Sequence, residues 1–236
     1  NGPGGEVLSE NWMMDNFGRD PWAKGAMIQT AENVAKEAGI TREECDVVGL
    51  RRYEQYMDSS ANDKAFKKRY MFPAEVSLSK KKTIVVEDDE GITPCTKEGL
   101  AALKTVLPDG THTFGTQTHP ADGNCAVVVT TREKAKELSS DSKIEVRIVS
   151  YGYARTKKGF MAMAVVPAVK MALENAGITI KDVKAIKTHN PFVANDIYLA
   201  RQMNVDVNNF NNYGSSLIYG HPQAPTAGRC IIEGIE

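Results

Sequence analysis

The residue in this chain best placed to move a proton is His221, held between Gly220 and Pro222. Glycine lets the backbone pass close to a ligand or adopt φ > 0. Proline fixes the chain after the histidine and offers no N–H. An imidazole pinned in this way suits a general base. The stretch around it, Asn211 to Arg229, is a glycine-punctuated loop followed by the start of a helix. A second histidine, His189, opens the sequence His189-Asn-Pro-Phe192 directly after the strand-like segment Val183 to Thr188. In open α/β sheets, ligand-handling residues gather beyond the carboxyl ends of the strands. His112 and His119 read as polar loop residues, and the four histidines have no metal-ligand spacing. Cys45, Cys95, Cys125 and Cys230 are widely separated, with no CxxC pair to indicate a zinc site or a redox dithiol.

The elements that must position these groups can be read from periodicity. Ala26, Ile28, Ala31, Val34 and Ala35 predict a helix over 25–38, stopped by Gly39. Thr41-Arg-Glu-Glu44 reads as a capping box opening a second helix, whose pattern continues through Ala61 to Tyr70. The period shortens between Phe72 and Val86, which predicts two short strands. Thr96 caps a short helix to Leu103, and Pro108-Asp-Gly is a turn signal. Asn124 to Thr130 reads as a fully buried strand, Arg132 to Leu138 as a helix, and 139–143 as a linker. Beyond it come a strand from Ile144 to Tyr153, a helix from Met161 to Ala176 ending at Gly177, a strand from Val183 to Thr188, and a helix from Asp196 to Met203. This alternation predicts parallel βα units. Residues 12–22, with Trp12, Met13, Met14, Phe17 and Trp22, are set in polar sequence and read as local packing or as a wall for an apolar ligand arm.

Composition narrows the function classes. The chain has 236 residues, 42% hydrophobic and 25% charged, with a net charge of −1. That is ordinary globular composition with room for a substantial core. It carries no nucleic-acid footprint. No apolar run reaches transmembrane length and no signal peptide is visible. Reduced thiols fit a cytoplasmic protein.

Four collinear stretches then resemble the thiolase family. Thr30-Ala-Glu-Asn-Val-Ala35 with Gly39-Ile-Thr-Arg-Glu-Glu44 is similar to its TAENVA helix and sequel. Asp109-Gly-Thr-His-Thr-Phe-Gly115, with Asp122-Gly123 and the apolar segment after it, resembles its DGTVTAG…NDGAAAVVL segment. His189-Asn-Pro-Phe192 falls where the family has NEAF or HDCF. Gly214 to Arg229 resembles GGAIALGHPxGxSGAR. The resemblance implies an α/β thiolase-like fold, layered α-β-α-β-α. It also implies CoA-dependent cleavage of a 3-ketoacyl-CoA, or the reverse Claisen condensation, through a cysteine acyl-enzyme. By the same carry-over His221 is the base and an oxyanion donor, and His189 is the oxyanion-hole partner, usually acting through water. Phe192 packs against the acyl group, Thr118 contacts the pantetheine arm, and Gly220 and Pro222 shape the CoA site. Coenzyme A is a substrate, with no tightly bound cofactor and no metal.

The resemblance also divides the chain. Residues 1–108 correspond to a loop domain and helices inserted in the N-terminal thiolase domain, 109–140 to the end of that domain, and 141–236 to a truncated C-terminal domain. Neither the family's nucleophile motif nor its second cysteine in CxG is found in these 236 residues, so the fold is expected to be incomplete at both ends. Asn190 replaces the usual acid after the first motif position, Tyr219 replaces a leucine, and Gln223-Ala-Pro-Thr226 departs from the small-residue run, which puts acyl specificity in question. Expected partners are acyl-CoA and CoA, a second copy or three more copies of the chain, and a zinc-ribbon/OB-fold protein as in some relatives, with neither nucleic acid nor membrane. The competing readings are a non-catalytic acyl-CoA-binding or scaffold subunit and a biosynthetic acetoacetyl-CoA synthase.

Overall fold

A computed structural model describes residues 18–236. The expectation for Trp12, Met13, Met14 and Phe17 lies outside the described residues; Trp22 is largely exposed. Helix α1 spans Met27–Ala38 and ends where Gly39 turns left-handed at φ 60°. Its buried residues Thr30, Ala31, Val34 and Ala35 form one stripe, as residues four apart must on a helix. Helix α2 (Arg42–Ser59) opens with the full reciprocal box, Thr41 accepting from the Glu44 N–H and Glu44 from the Thr41 N–H. The helical pattern does not run on to Tyr70. Asn62, Asp63 and Lys64 take φ of 51°, 55° and 59° inside the short segment α3 (Ala61–Lys64), and this left-handed run redirects the chain.

Strands β1 (Ala74–Ser79) and β2 (Lys82–Val86) pair antiparallel as the shortened period predicts. Helix α4 (Lys97–Ala102) is capped by Thr96, and α5 (Arg132–Leu138) by Thr131. A 3₁₀ turn (Met161–Ala164) leads into α6 (Val165–Ala176), which stops at Gly177 with φ 68°. Helix α7 (Val193–Met203), the one-turn α8 (Ser216–Tyr219) and α9 (Ala224–Ile235) complete the order.

Helix α7 is the hub. Val193, Ala194 and Ile197 pack with Ala35 of α1, Cys45 and Val48 of α2, and Leu217 of α8. One turn on, Leu199 and Ala200 pack with Val166 of α6 and Phe210. Arg52 and Asp196 join α2 to α7 at 3.0 Å with their side chains 0% and 1% exposed.

Three expected strands form no ladder among the described residues. The segment 124–130 is exposed rather than buried, with Val128 at 81% and Val129 at 72%. The segment 144–153 rests on α6 through Ser150, whose hydroxyl donates to the Ala172 carbonyl at 2.6 Å. It also rests there through Gly152, where an added Cβ would lie 2.1 Å from the Ala168 oxygen. Its Ile148, Val149, Tyr151 and Tyr153 remain open. The segment 183–188 makes a single parallel bridge, Ile186 to Phe210. A ladder needs a neighbouring strand, and none pairs here among the described residues.

The Arg52–Asp196 pair gives a test of this architecture. Arg52→Met leaves the Asp196 carboxylate buried without its countercharge, a change that costs about 3–5 kcal/mol. Urea unfolding of the full-length protein should show a lower midpoint at unchanged slope; an unaltered midpoint would mean the pair does not hold α2 to α7.

Candidate active site

Two loops and one helix start bring His189 and His221 together. Their ring centroids are 4.2 Å apart, with the planes inclined at 31°. His221 is held at both ends. Its N–H donates to the His119 carbonyl at 2.8 Å, inside a parallel bridge between Pro120 and His221. Its Nδ1 lies 2.7 Å from the Thr226 hydroxyl on the first turn of α9. Gly220, at φ 87°, has to be glycine: an added Cβ would meet the Ala121 Cβ at 2.7 Å and the His119 ring at 2.9 Å. Pro222 packs against Gly123. Gln223 carries φ 63° and ψ −110°, a strained conformation for a residue with a side chain.

The start of α9 is fitted just as closely. A Cβ at Gly228 would stand 2.0 Å from the Cys125 sulfur, and Cys125 itself contacts the Pro225 carbonyl at 3.3 Å. Segment 124–130 therefore sets how far α9 can approach, although it forms no ladder.

His189 precedes a buried polar web. Asn190 is fully buried, and its amide group donates to Asp196 Oδ2 at 2.8 Å and to the Ser215 hydroxyl at 3.1 Å. Asp196 also receives Thr188 Oγ1 at 2.6 Å and Asn211 Nδ2 at 3.2 Å, as well as Arg52. His189 does not cap α7. The N-cap is Phe192, and the first free amides of that helix go to Thr116 O (from Val193, 3.0 Å) and His112 Nε2 (from Ala194, 3.4 Å).

The other expected contacts divide. Thr118 is beside the site, but its hydroxyl donates to the Ser216 carbonyl at 2.5 Å and its N–H to the Pro191 carbonyl at 2.7 Å. It ties the 116–121 loop to both histidine loops. Phe192 is 7% exposed and packs edge-on against His112 at 5.7 Å, so its ring faces the interior. His112 lies in a loop as expected, but it is completely buried rather than solvated.

Sequence reasoning missed Glu32. Its carboxylate receives the Thr111 N–H, the Thr111 hydroxyl and the His112 N–H, and lies 3.2 Å from His112 Nδ1. Burial alone would raise its pKa, but these bonds from His112 and Thr111 hold it at about 2. An acid between Ala31 and Val34 on the buried stripe of α1 was the available signal.

Both imidazoles favour the neutral form. His189 is solvent-exposed, but the groups packed against its ring partly desolvate it. That desolvation, together with repulsion from a charged His221 and against the pull of Asp196, lowers it from 6.5 to about 4. Desolvation also lowers His221. The thiols contrast with them. Burial and then nearby carboxylates push Cys45 to about 12 and Cys230 up to about 11, and burial raises Cys95. Among the described residues, none of the four cysteines hydrogen-bonds to either histidine ring.

The family model for the thiolase N-terminal domain matches residues 8–133, and that for the thiolase C-terminal domain matches 142–235. The chain belongs to the thiolase family. It is 30% identical over 204 residues to human mitochondrial 3-ketoacyl-CoA thiolase, covering 86% of this chain and 50% of that one. It is likewise 30% identical over 209 residues to rat peroxisomal 3-ketoacyl-CoA thiolase B, covering 86% and 48%. Among solved structures, the acetyl-CoA acetyltransferase of Bacillus anthracis superposes with a TM-score of 0.84 at 27% identity, over 97% of this chain and 57% of that one. Human mitochondrial 3-ketoacyl-CoA thiolase in complex with CoA gives 0.77 at 28%, over 99% and 58%. The chain thus has the α/β thiolase-like fold, and it spans about half the length of the relatives it matches. No described helix is long and apolar enough to cross a membrane.

The charge state of the histidine pair is testable. In an NMR titration of ring protons, both His189 and His221 should protonate below 6.5, His189 near 4. Their unfolded values are the higher ones, so the unfolded chain binds more protons in that window. The pair therefore costs stability as pH falls from 6.5 toward 4, and costs none above it. A titration of either ring at or above 6.5 would overturn this.

Proposed function

We propose that this chain carries the histidine side of a thiolase active site, which works on a 3-ketoacyl-CoA by CoA-dependent cleavage or, in reverse, by Claisen condensation. The observation that carries the reading is the pair of histidine rings, 4.2 Å apart and inclined at 31°, each with a buried hydroxyl at its Nδ1. His221 takes the proton of a thiol, which is only slightly ionised near neutral pH and needs such a base. His189 is the partner in the oxyanion hole, where the charge growing on the thioester oxygen requires groups already in place. None of the four cysteines in this sequence is assigned as the nucleophile. Thr118, Gly220 and Pro222 shape the wall along the pantetheine arm, and Phe192 supports that wall from beneath. Coenzyme A enters as substrate, in keeping with the CoA complex of the human relative.

We also place a domain boundary at 140/141, which is supported by family matches that end at 133 and resume at 142. Self-association into a dimer or tetramer belongs to the same reading. The human and rat relatives named above are mitochondrial and peroxisomal proteins, and they lend no support to a cytoplasmic location.

The test is thiolysis of 3-ketoacyl-CoA substrates by the full-length protein. Wild type should release acetyl-CoA, and His221→Asn should lose about 10²- to 10⁴-fold in kcat, the usual contribution of a general base. The acid limb of kcat/KM should fall below pH 6.5, because a base with a depressed pKa stays unprotonated further into acid. A second reading is an acyl-CoA-binding subunit without turnover; both readings leave these four cysteines out of the chemistry, so turnover decides between them. CoA binding with no turnover of any ketoacyl-CoA would select it. The likeness to the Bacillus anthracis acetyl-CoA acetyltransferase supports testing acetoacetyl-CoA first, in both directions.

A further inference from the structure

Ser216 occupies a position that decides what His189 can do. Its side chain is completely buried, and three polar atoms surround its hydroxyl. The Asn190 N–H lies at 3.2 Å, Asn190 Oδ1 at 3.1 Å and His189 Nδ1 at 2.9 Å. A serine hydroxyl has one proton and two lone pairs, so the three contacts must divide as one donation and two acceptances.

Asn190 fixes the first two. Its amide nitrogen faces the Asp196 carboxylate at 2.8 Å, which only accepts. Oδ1 therefore faces Ser216, and the orientation of the amide is set. Asn190 Oδ1 also receives the Leu217 N–H at 3.2 Å. The backbone N–H of Asn190 can only donate, so one lone pair of the serine oxygen is taken. If the serine proton goes to Asn190 Oδ1, the second lone pair accepts from a protonated His189 Nδ1, and every atom is satisfied. If the proton goes to His189 instead, two oxygens with no proton between them face each other at 3.1 Å inside the protein, a costly arrangement for buried acceptors.

We propose that Ser216 is a positioning residue that holds His189 in its Nδ1–H tautomer, so that Nε2 enters the site as a bare lone pair. The inference rests on the reading of His189 as a site residue and sharpens it. His189 then recognises only a hydrogen-bond donor: a water, a thiol or an amide N–H. It does not bond directly to a thioester oxygen. A donor held there and carrying a second hydrogen can turn that hydrogen toward the oxygen. His221 differs: among the described residues, its Nδ1 meets one side chain, Thr226, whose hydroxyl can donate or accept as the reaction requires.

The experiment is nitrogen NMR of the full-length protein labelled at its histidine ring nitrogens, with the His189 signals identified by their loss in His189→Gln. Wild type should show a protonated Nδ1 and an unprotonated, pyridine-type Nε2 at neutral pH. Ser216→Ala should shift His189 toward the Nε2–H form or a mixture of the two, and Ser216→Thr should restore the wild-type pattern. A protonated Nε2 in wild type, or an unchanged tautomer in Ser216→Ala, overturns the proposal. The wild-type spectrum decides the tautomer even if the alanine variant does not fold. In thiolysis, Ser216→Ala should lower kcat about tenfold or more with KM nearly unchanged; an unchanged kcat alongside a shifted tautomer would also count against it. Absence of thiolysis in wild type would defeat the catalytic reading while leaving the NMR result intact, so the two failures are distinguishable.

Discussion

The Arg52–Asp196 ion pair is the constraint on which the rest of this structure depends. Both side chains are sealed from solvent, and a buried charge without a partner is among the most expensive defects a fold can carry. Asp196 distributes that constraint: it collects Arg52 from α2, Thr188 from the segment before His189, Asn190 from the segment after it, and Asn211 from the next loop. Arg52 reaches further, to Gln55 on its own helix and to the Val207 carbonyl. One carboxylate thus fixes the spacing of four chain segments, and both histidine loops hang from that frame. Such a network rigidifies its surroundings only when every member is satisfied, and Asp196 meets that condition.

Electrostatics separates the groups available for proton transfer from those that are not. Partial desolvation lowers both histidines, so each favours the neutral imidazole at ordinary pH. The same physics acting on Cys45 and Cys230, reinforced by nearby carboxylates, makes them poor nucleophiles. Desolvation disfavours whichever form is charged: it leaves a histidine as a free base and a cysteine as an inert thiol. Cys45 is accordingly core, packed with Ala35, Val48 and Val193.

Much of this was legible in the sequence, for reasons that differ by element. The α1 stripe, the Thr41 box and the stops at Gly39 and Gly177 are local signals, and all four appear as written. The pairing of His189 with His221 came from motif resemblance, since 32 residues of sequence say nothing about a 4.2 Å contact. The strands expected at 124–130 and 144–153 do not form, because pairing is non-local and the described residues supply no ladder. The Asp196 web was invisible because Arg52 and Asp196 look like surface charges in a helical pattern; only the three-dimensional crossing of α2 and α7 buries them. Ser216 was hidden for a related reason: a serine in a small-residue loop carries no mark of the three atoms that surround it.

The contact between Gly228 and Cys125 has a consequence for how this chain can diverge. The missing side chain of one residue is filled by the sulfur of another about a hundred positions away. Each of the two sizes is tolerable only because of the other. A bulkier residue at 125 would lever α9 outward, carrying Thr226 away from the imidazole it touches, and so would a thiol enlarged by oxidation. The two positions should therefore drift as a linked pair among descendants of this sequence, large with small. The spacing of a hydroxyl and a ring nitrogen at the site would be inherited through the volume of a cysteine that never meets substrate.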